Sequence, residues 1–155
     1  MDIKCISLSE VSQADIIDLM NHPKVRQHMP LLEGDFNKAN YDSFIAAKQK
    51  TWIDHGYGPW AFTLENKFIG WGGLQPADKD VEIALVLHPN FWGLGKALYH
   101  KIIHYAFNDK GFDSVIILFP PSRIRIKSIL RLGFNPDGMV SFGGHPYIRY
   151  RLRRS

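Results

Sequence analysis

Apolar and polar positions repeat along this chain with two periods, and the places where one period gives way to the other mark its elements. From Val81 to Leu87 nearly every position is apolar, with β-branched residues and leucine dominating, as in a strand covered on both faces. Glu82 is the one charge in that run. His88, Pro89 and Asn90 break the ladder. Trp92, Gly93, Leu94, Gly95, Lys96 and Ala97 then carry the chain into a helix whose apolar positions recur at Leu98, Ile102, Tyr105 and Ala106.

The same reading extends over the rest of the chain. Ile3 to Leu8 is a short first strand with no cleanly polar face. Ser12 caps a helix over Gln13 to Asn21, which Pro23 ends. A second helix runs from about Lys38 to His55, with Tyr41, Phe44, Ile45, Ala47 and Trp52 at roughly helical spacing, and residues 25–36 between the two read as an exposed loop. Gly56 to Pro59 is a turn. Trp60 to Leu64 and Phe68 to Leu74 form a hairpin, and Gln75 to Lys79 turns the chain into the Val81 strand. Asp109, Lys110 and Gly111 stop the following helix; Ser114 to Phe119 is a buried strand closed by Pro120 and Pro121. Ile124, Ile126, Ile129, Leu130 and Leu132 mark a short helix ending at Gly133. The last strands are about Met139 to Phe142 and Tyr147 to Leu152. The order is strand, two helices, three strands, helix, strand, helix, two strands, a mixed α/β arrangement.

The glycine turn carries the clearest chemistry. It lands at a helix N-terminus, where unpaired N–H groups and the positive end of the helix dipole attract an anion. Gly93 and Gly95 remove the Cβ atoms that would keep a phosphate from the backbone. A diphosphate fits that description, and a loop that uses its glycines only for turning is the competing reading.

Composition narrows the classes. At 155 residues, 45% hydrophobic and 22% charged, the chain is expected to be one globular domain spanning residues 1–155. No apolar run approaches the ~20 residues that cross a bilayer. The amino-terminal residues show no basic stretch followed by an apolar one, so a cytoplasmic protein is expected. The single cysteine, Cys5, has no partner for a disulfide or a metal site, and the seven histidines are scattered, so no metal is expected. The formal charge of +4 gathers late, at Arg123, Arg125, Lys127, Arg131, Arg149, Arg151, Arg153 and Arg154. An anionic cofactor or a solvated face explains it as well as nucleic acid does, and no zinc spacing or RNA-binding aromatic signature favours nucleic acid.

Taken together, Trp92 to Ala97 after a buried strand and before a helix, the phrase HPNFWGLGKA and the downstream SRIRIKSILRLGF resemble the GNAT superfamily of acyl-CoA-dependent N-acetyltransferases, particularly its RimJ/RimL-like branch. The family's phosphate-binding pattern is Gln or Arg, two residues, Gly, one residue, then Gly or Ala; only Trp92 departs from it. The resemblance implies a GNAT-like fold with a central mixed sheet flanked by helices, acetyl-CoA as cofactor, and transfer of its acetyl group to a primary amine on a peptide or small molecule. It implies that backbone groups of Leu85, Val86 and Leu87 pair with the pantetheine arm as an added strand would. The N–H groups from Gly93 to Ala97 would hold the diphosphate, with charge from Lys96.

Amine attack on a thioester needs a neutral amine and a proton for the leaving thiolate. The resemblance makes Glu82 the candidate base, an ion pair with a basic neighbour being the competing role. Relatives often place a Tyr where Ile129 stands, and the Asn and Ser of the branch align with Ser122 and Arg125. Ser122 is a candidate contact to the cofactor, and Ser128 or Tyr147 a candidate proton source. His28, Trp60 and Tyr147 are the candidate acceptor-binding residues, beside Met29, Glu33, Trp71 and His145. No membrane partner is implied, and a homodimer is left open. Because Ser122, Arg125 and Ile129 depart from the pattern, the alternative function is a non-catalytic or weakly catalytic acyl-CoA-binding sensor module.

Overall fold

The computed structural model describes residues 2–29, 31–123 and 126–155. Its centre is a seven-stranded sheet in the order β1-β2-β3-β4-β5-β7-β6. The strands are β1 (Ile3–Ile6), β2 (Pro59–Leu64), β3 (Lys67–Ala77), β4 (Asp80–Leu87), β5 (Ser114–Phe119), β6 (Asn135–Phe142) and β7 (His145–Arg153). The helices are α1 (Gln13–Asn21), α2 (Pro23–Arg26), α3 (Lys38–His55), α4 (Gly95–His104) and α5 (Lys127–Arg131). Every neighbouring pair of strands is antiparallel except β4 and β5.

Two cores lie on opposite faces of the sheet. On one, Val81, Ile83, Leu85 and Leu87 of β4 pack with Leu98 and Ile102 of α4 and with Ile129 of α5. On the other, Ala84 and Val86 meet Ile16, Leu19 and Met20 of α1 and Phe44 and Ile45 of α3. The nearly unbroken apolar run of β4 is explained by this double covering. Alternation then puts Glu82, two residues before Ala84, on the α1–α3 face.

Three expectations change. Pro23 occupies the first turn of α2, where its missing N–H is no loss, rather than only ending α1. Residues 25–36 are no exposed loop throughout, since Val25 and Phe36 are buried. The Asn21 side chain anchors them, donating to the Phe36 carbonyl at 2.8 Å and accepting from its N–H at 2.7 Å. Gln75 to Ala77 likewise continue β3 instead of turning, and Gln75 stands directly opposite Glu82. The turn itself is tighter, with Asp78 at φ 56°.

The parallel pair β4/β5 shares one registered position, Glu82 opposite Ile116. Beyond it, Ile83–Leu87 and Ile117–Phe119 run without a ladder between them, so the sheet forks. Arg151 of β7 fastens the closed end. Its guanidinium donates to both Asp80 carboxylate oxygens at 2.8 and 3.1 Å, to Asp137 at 2.8 Å and to the Ser114 hydroxyl at 2.9 Å. These bonds hold the Asp80 carboxyl below its ordinary value of 3.8. A depressed carboxylate contributes stability above that ordinary value and loses it as pH falls through the lowered one. Arg151→Met is therefore expected to cost about 2 kcal/mol at neutral pH, shrinking in strong acid; denaturant melts at the two pH values check it.

Candidate active site

The open end of the fork meets the glycine turn. His88 caps a 3-10 turn over Pro89–Leu94, its ring nitrogen accepting from Asn90 N–H at 3.1 Å, and α4 follows directly. Leu94 is the N-cap of α4 and offers no side-chain cap, so the first-turn N–H groups have no side chain to bond. Gly95 has φ −56° and ψ −44°, ordinary helical values. Neither Gly93 nor Gly95 has positive φ. A Cβ built on either would meet no heavy atom within 4 Å. Neither backbone geometry nor packing calls for glycine at these positions, which disfavours the turning-only reading. The turn faces open space where the 3-10 turn runs into α4, with the Gly95 N–H bonded to the Trp92 carbonyl.

Trp92, which departs from the Gln or Arg pattern, donates its indole N–H to the Leu87 carbonyl at 2.9 Å. That bond pins the turn to the end of β4. It also engages one carbonyl that the sequence assigned to the pantetheine arm, leaving Leu85 and Val86 as the better-placed backbone in the fork. Lys96 and Ala97 are exposed in the first turn of α4, and Ser122 is exposed in the turn closed by the Arg123 N–H to Pro120 carbonyl bond of 3.0 Å. Arg125 lies outside the described residues.

Glu82 is set in a polar cluster on the α1–α3 face. Burial pushes its carboxyl above the ordinary 4.5, while the facing Gln75 amide and the Lys48 charge pull the other way. The Lys48 ammonium of α3 donates to Gln75 Oε1 at 3.4 Å and sits 4.9 Å from the Trp71 ring centroid. Tyr147 of β7 is buried, and its hydroxyl pKa is raised by burial and by the Glu82 charge. The phenol therefore stands within electrostatic reach of the carboxylate. The loop after α2 reaches the same side, because Leu31 lies where a Cβ on Gly143, in the β6–β7 turn, would sit 2.7 Å away.

The other expected residues are distributed differently. The exposed His28 lies beside the cofactor turn, its ring centroid 6.1 Å from that of Trp92, and burial and the Arg123 charge lower its pKa. Trp60 packs against the α4-side core with Tyr105 at 4.7 Å, across the sheet from Glu82. It is not a wall of the Glu82 site, because alternation along β2 turns it to the opposite face. Ile129 is fully buried and Ser128 is exposed, so neither joins the cluster. A groove of about 910 Å³ between α4 and the chain ends contains Ala97 but none of Glu82, Lys48 or Tyr147.

Three contributors lacked a sequence assignment. Lys48 falls in phase with Tyr41, Phe44 and Ile45 on the inward side of α3, a lysine at a core-facing position, and that phase was the available signal. Gln75 was hidden by reading its strand as a turn. Arg123 stacks its guanidinium 4.1 Å from the Phe119 ring centroid and bears on His28 and on Tyr99 of α4, at the mouth of the fork. No metal-holding cluster of His, Cys, Asp or Glu exists among the described residues.

The sheet is split at its parallel pair, and at the opening stand the two glycines and the start of α4, which has no side-chain cap. A family profile described as the acetyltransferase (GNAT) domain matches residues 6–135, and the chain belongs to that family. Among solved structures, AAC(6′)-Ib in complex with ribostamycin and coenzyme A has a TM-score of 0.78 at 16% identity, covering 98% of this chain and 92% of that one. A GNAT-family acetyltransferase from Bordetella pertussis gives 0.75 at 16% identity, covering 96% and 93%. A spermidine N-acetyltransferase SpeG chimera from Vibrio cholerae and hSSAT gives 0.76 at 13% identity, covering 99% and 96%. The expected mixed α/β GNAT fold is therefore present, and the chain is an acetyltransferase-family protein.

Proposed function

We propose that the protein moves an acetyl group from acetyl-CoA to a primary amine by direct attack of the amine on the thioester. The reading rests above all on Gly93 and Gly95, glycines that the chain does not need for its own geometry, standing before an uncapped helix at the mouth of a forked sheet. The phrase HPNFWGLGKA supports membership of the RimJ/RimL-like branch, in a cytoplasmic protein of one domain.

The residues divide the work as follows. The cofactor supplies an activated acetyl carbon. Backbone N–H groups of the turn from Gly93 to Ala97 that are left free by the Gly95 N–H to Trp92 carbonyl bond hold its diphosphate, and Leu85 and Val86 align its arm in the fork. Glu82 takes the proton from the acceptor ammonium; a carboxylate raised toward neutrality by burial is better matched to that task than an ordinary one. Tyr147, whose raised pKa keeps it protonated at neutral pH, donates from Oη to the departing sulfur.

Tyr147→Phe is expected to lower kcat roughly 10- to 100-fold with little change in cofactor affinity. The acid limb of kcat/KM should lie above the ordinary glutamate value of 4.5, because Glu82 must be ionised and its pKa is raised; a pH–rate profile reads both. Thiol release from acetyl-CoA against a panel of amines tests the function itself. The panel should include an aminoglycoside and spermidine, the acceptor classes of the structural relatives, together with monoamines and peptide N-termini. Amine-dependent release is expected. Acetyl-CoA binding without release for any amine favours the sensor module.

A further inference from the structure

We infer that Lys48 is a positioning residue: seated over two aromatic rings and bonded to Gln75, it fixes the Glu82 carboxylate through that amide. The inference rests on the reading of Glu82 as base and extends it to the groups behind it.

Lys48 occupies an inward position on α3, where an unpartnered ammonium would be costly. Its partners are the Phe44 ring, centroid at 5.3 Å, the Trp71 ring at 4.9 Å, and Gln75 Oε1 at 3.4 Å. Gln75 in turn faces Glu82 across the β3–β4 ladder. With its oxygen turned to Lys48, the amide has its N–H groups left for the carboxylate. The first link, ammonium to amide oxygen, is made at 3.4 Å, and the strand register sets the amide beside the carboxylate for the second, each link polarising the next.

The amide stands where a plain salt bridge would otherwise be. Ion pairs within 4 Å among the described residues do not include Lys48 with Glu82. Direct pairing would tie up the carboxylate, whereas the interposed amide orients one oxygen and leaves the other for an acceptor. The two charges still feel each other: Glu82 draws the Lys48 pKa upward against burial, and Lys48 draws that of Glu82 downward. The remaining groups facing Glu82 are Tyr147 from β7 and, along β4, Asp80. Asp80 is neutralised by Arg151, and Arg149 of β7 is bound to Asp137. Lys48 is thus the cation in this cluster that no carboxylate holds by direct contact.

The test uses the full chain labelled with ¹³C at glutamate carboxyls, with Glu82 assigned by its absence from the Glu82→Gln spectrum, and follows its NMR titration with pH. Lys48→Met is expected to raise the Glu82 midpoint by roughly one pH unit, and Lys48→Arg to restore most of it. Gln75→Leu, which cuts the link but keeps the lysine, should raise it as well and serves if Lys48→Met fails to fold. An unchanged midpoint in Lys48→Met, or in Gln75→Leu when that variant stands in, overturns the inference. Equal midpoints in the Met and Arg variants do so too. The acid limb of kcat/KM separates the two readings: a moved midpoint with a stationary limb keeps the Lys48 link and removes Glu82 as base.

Discussion

Glu82→Gln is expected to lower kcat by roughly 100- to 1,000-fold, within the range that a positioned general base contributes, while acetyl-CoA binds almost as tightly as before. The amide keeps the size of the carboxylate and can still hydrogen-bond Gln75, so the fold and the fork should be retained. Only the ability to accept a proton is lost. The loss should also ease as pH rises and the free amine becomes neutral in solution, since an unperturbed lysine-type ammonium has a pKa of about 10.4. Steady-state kinetics across pH and calorimetry with acetyl-CoA measure the two halves. A variant as active as the wild type at neutral pH would remove Glu82 from the base role.

The second large effect separates binding from folding. Gly95→Val should weaken acetyl-CoA binding by roughly 100-fold, about 2.7 kcal/mol, and leave the melting temperature unchanged or raised. Gly95 already has helical φ and ψ, and a Cβ there meets nothing within 4 Å. Valine has a better helix propensity than glycine, so the chain itself loses nothing. What its methyl groups fill is the space through which a phosphate reaches the first-turn N–H groups. Differential scanning fluorimetry and calorimetry on the same sample check the pair of outcomes. A large fall in melting temperature would return the glycine to a role in the fold.

The legible part of this protein in its sequence is the part where local pattern and tertiary role coincide. The continuous apolar run from Val81 to Leu87 announced a doubly covered strand, and the structure covers it on both faces. The glycines after it announced a phosphate approach, and the chain does not need them for turning, since neither has a positive φ. Legibility fails where a residue's role depends on a partner far along the chain. Gln75 read as a turn residue because Pro76 and Asp78 follow it, yet β4 pairs with it and extends the strand. Trp60 read as core or as a wall of the acceptor pocket, and one step of alternation sends it to the core on the face of Tyr105. Lys48 was legible only in phase with Phe44 and Ile45. Its significance requires knowing that Gln75 and Glu82 lie beneath that side of α3.

The fork, too, was invisible beforehand. Nothing in Ser114 to Phe119 says that its pairing with β4 stops after one position. The Arg151 bonds to Asp80, Ser114 and Asp137 show why it begins where it does, joining β4, β5, β7 and β6 at the closed end. Past that clamp, opposed strand ends are free to separate, and the cofactor turn completes the opening.

The proposed reaction carries an acetyl group from a thioester to an amine. It can be followed by NMR with acetyl-CoA labelled with ¹³C at the acetyl carbonyl, mixed with the protein and an amine acceptor. The thioester carbonyl resonance is expected to decay as an amide carbonyl resonance appears, at a rate that falls sharply in Glu82→Gln. A label that stays in the thioester with every amine, or leaves it only as free acetate, would contradict the proposal.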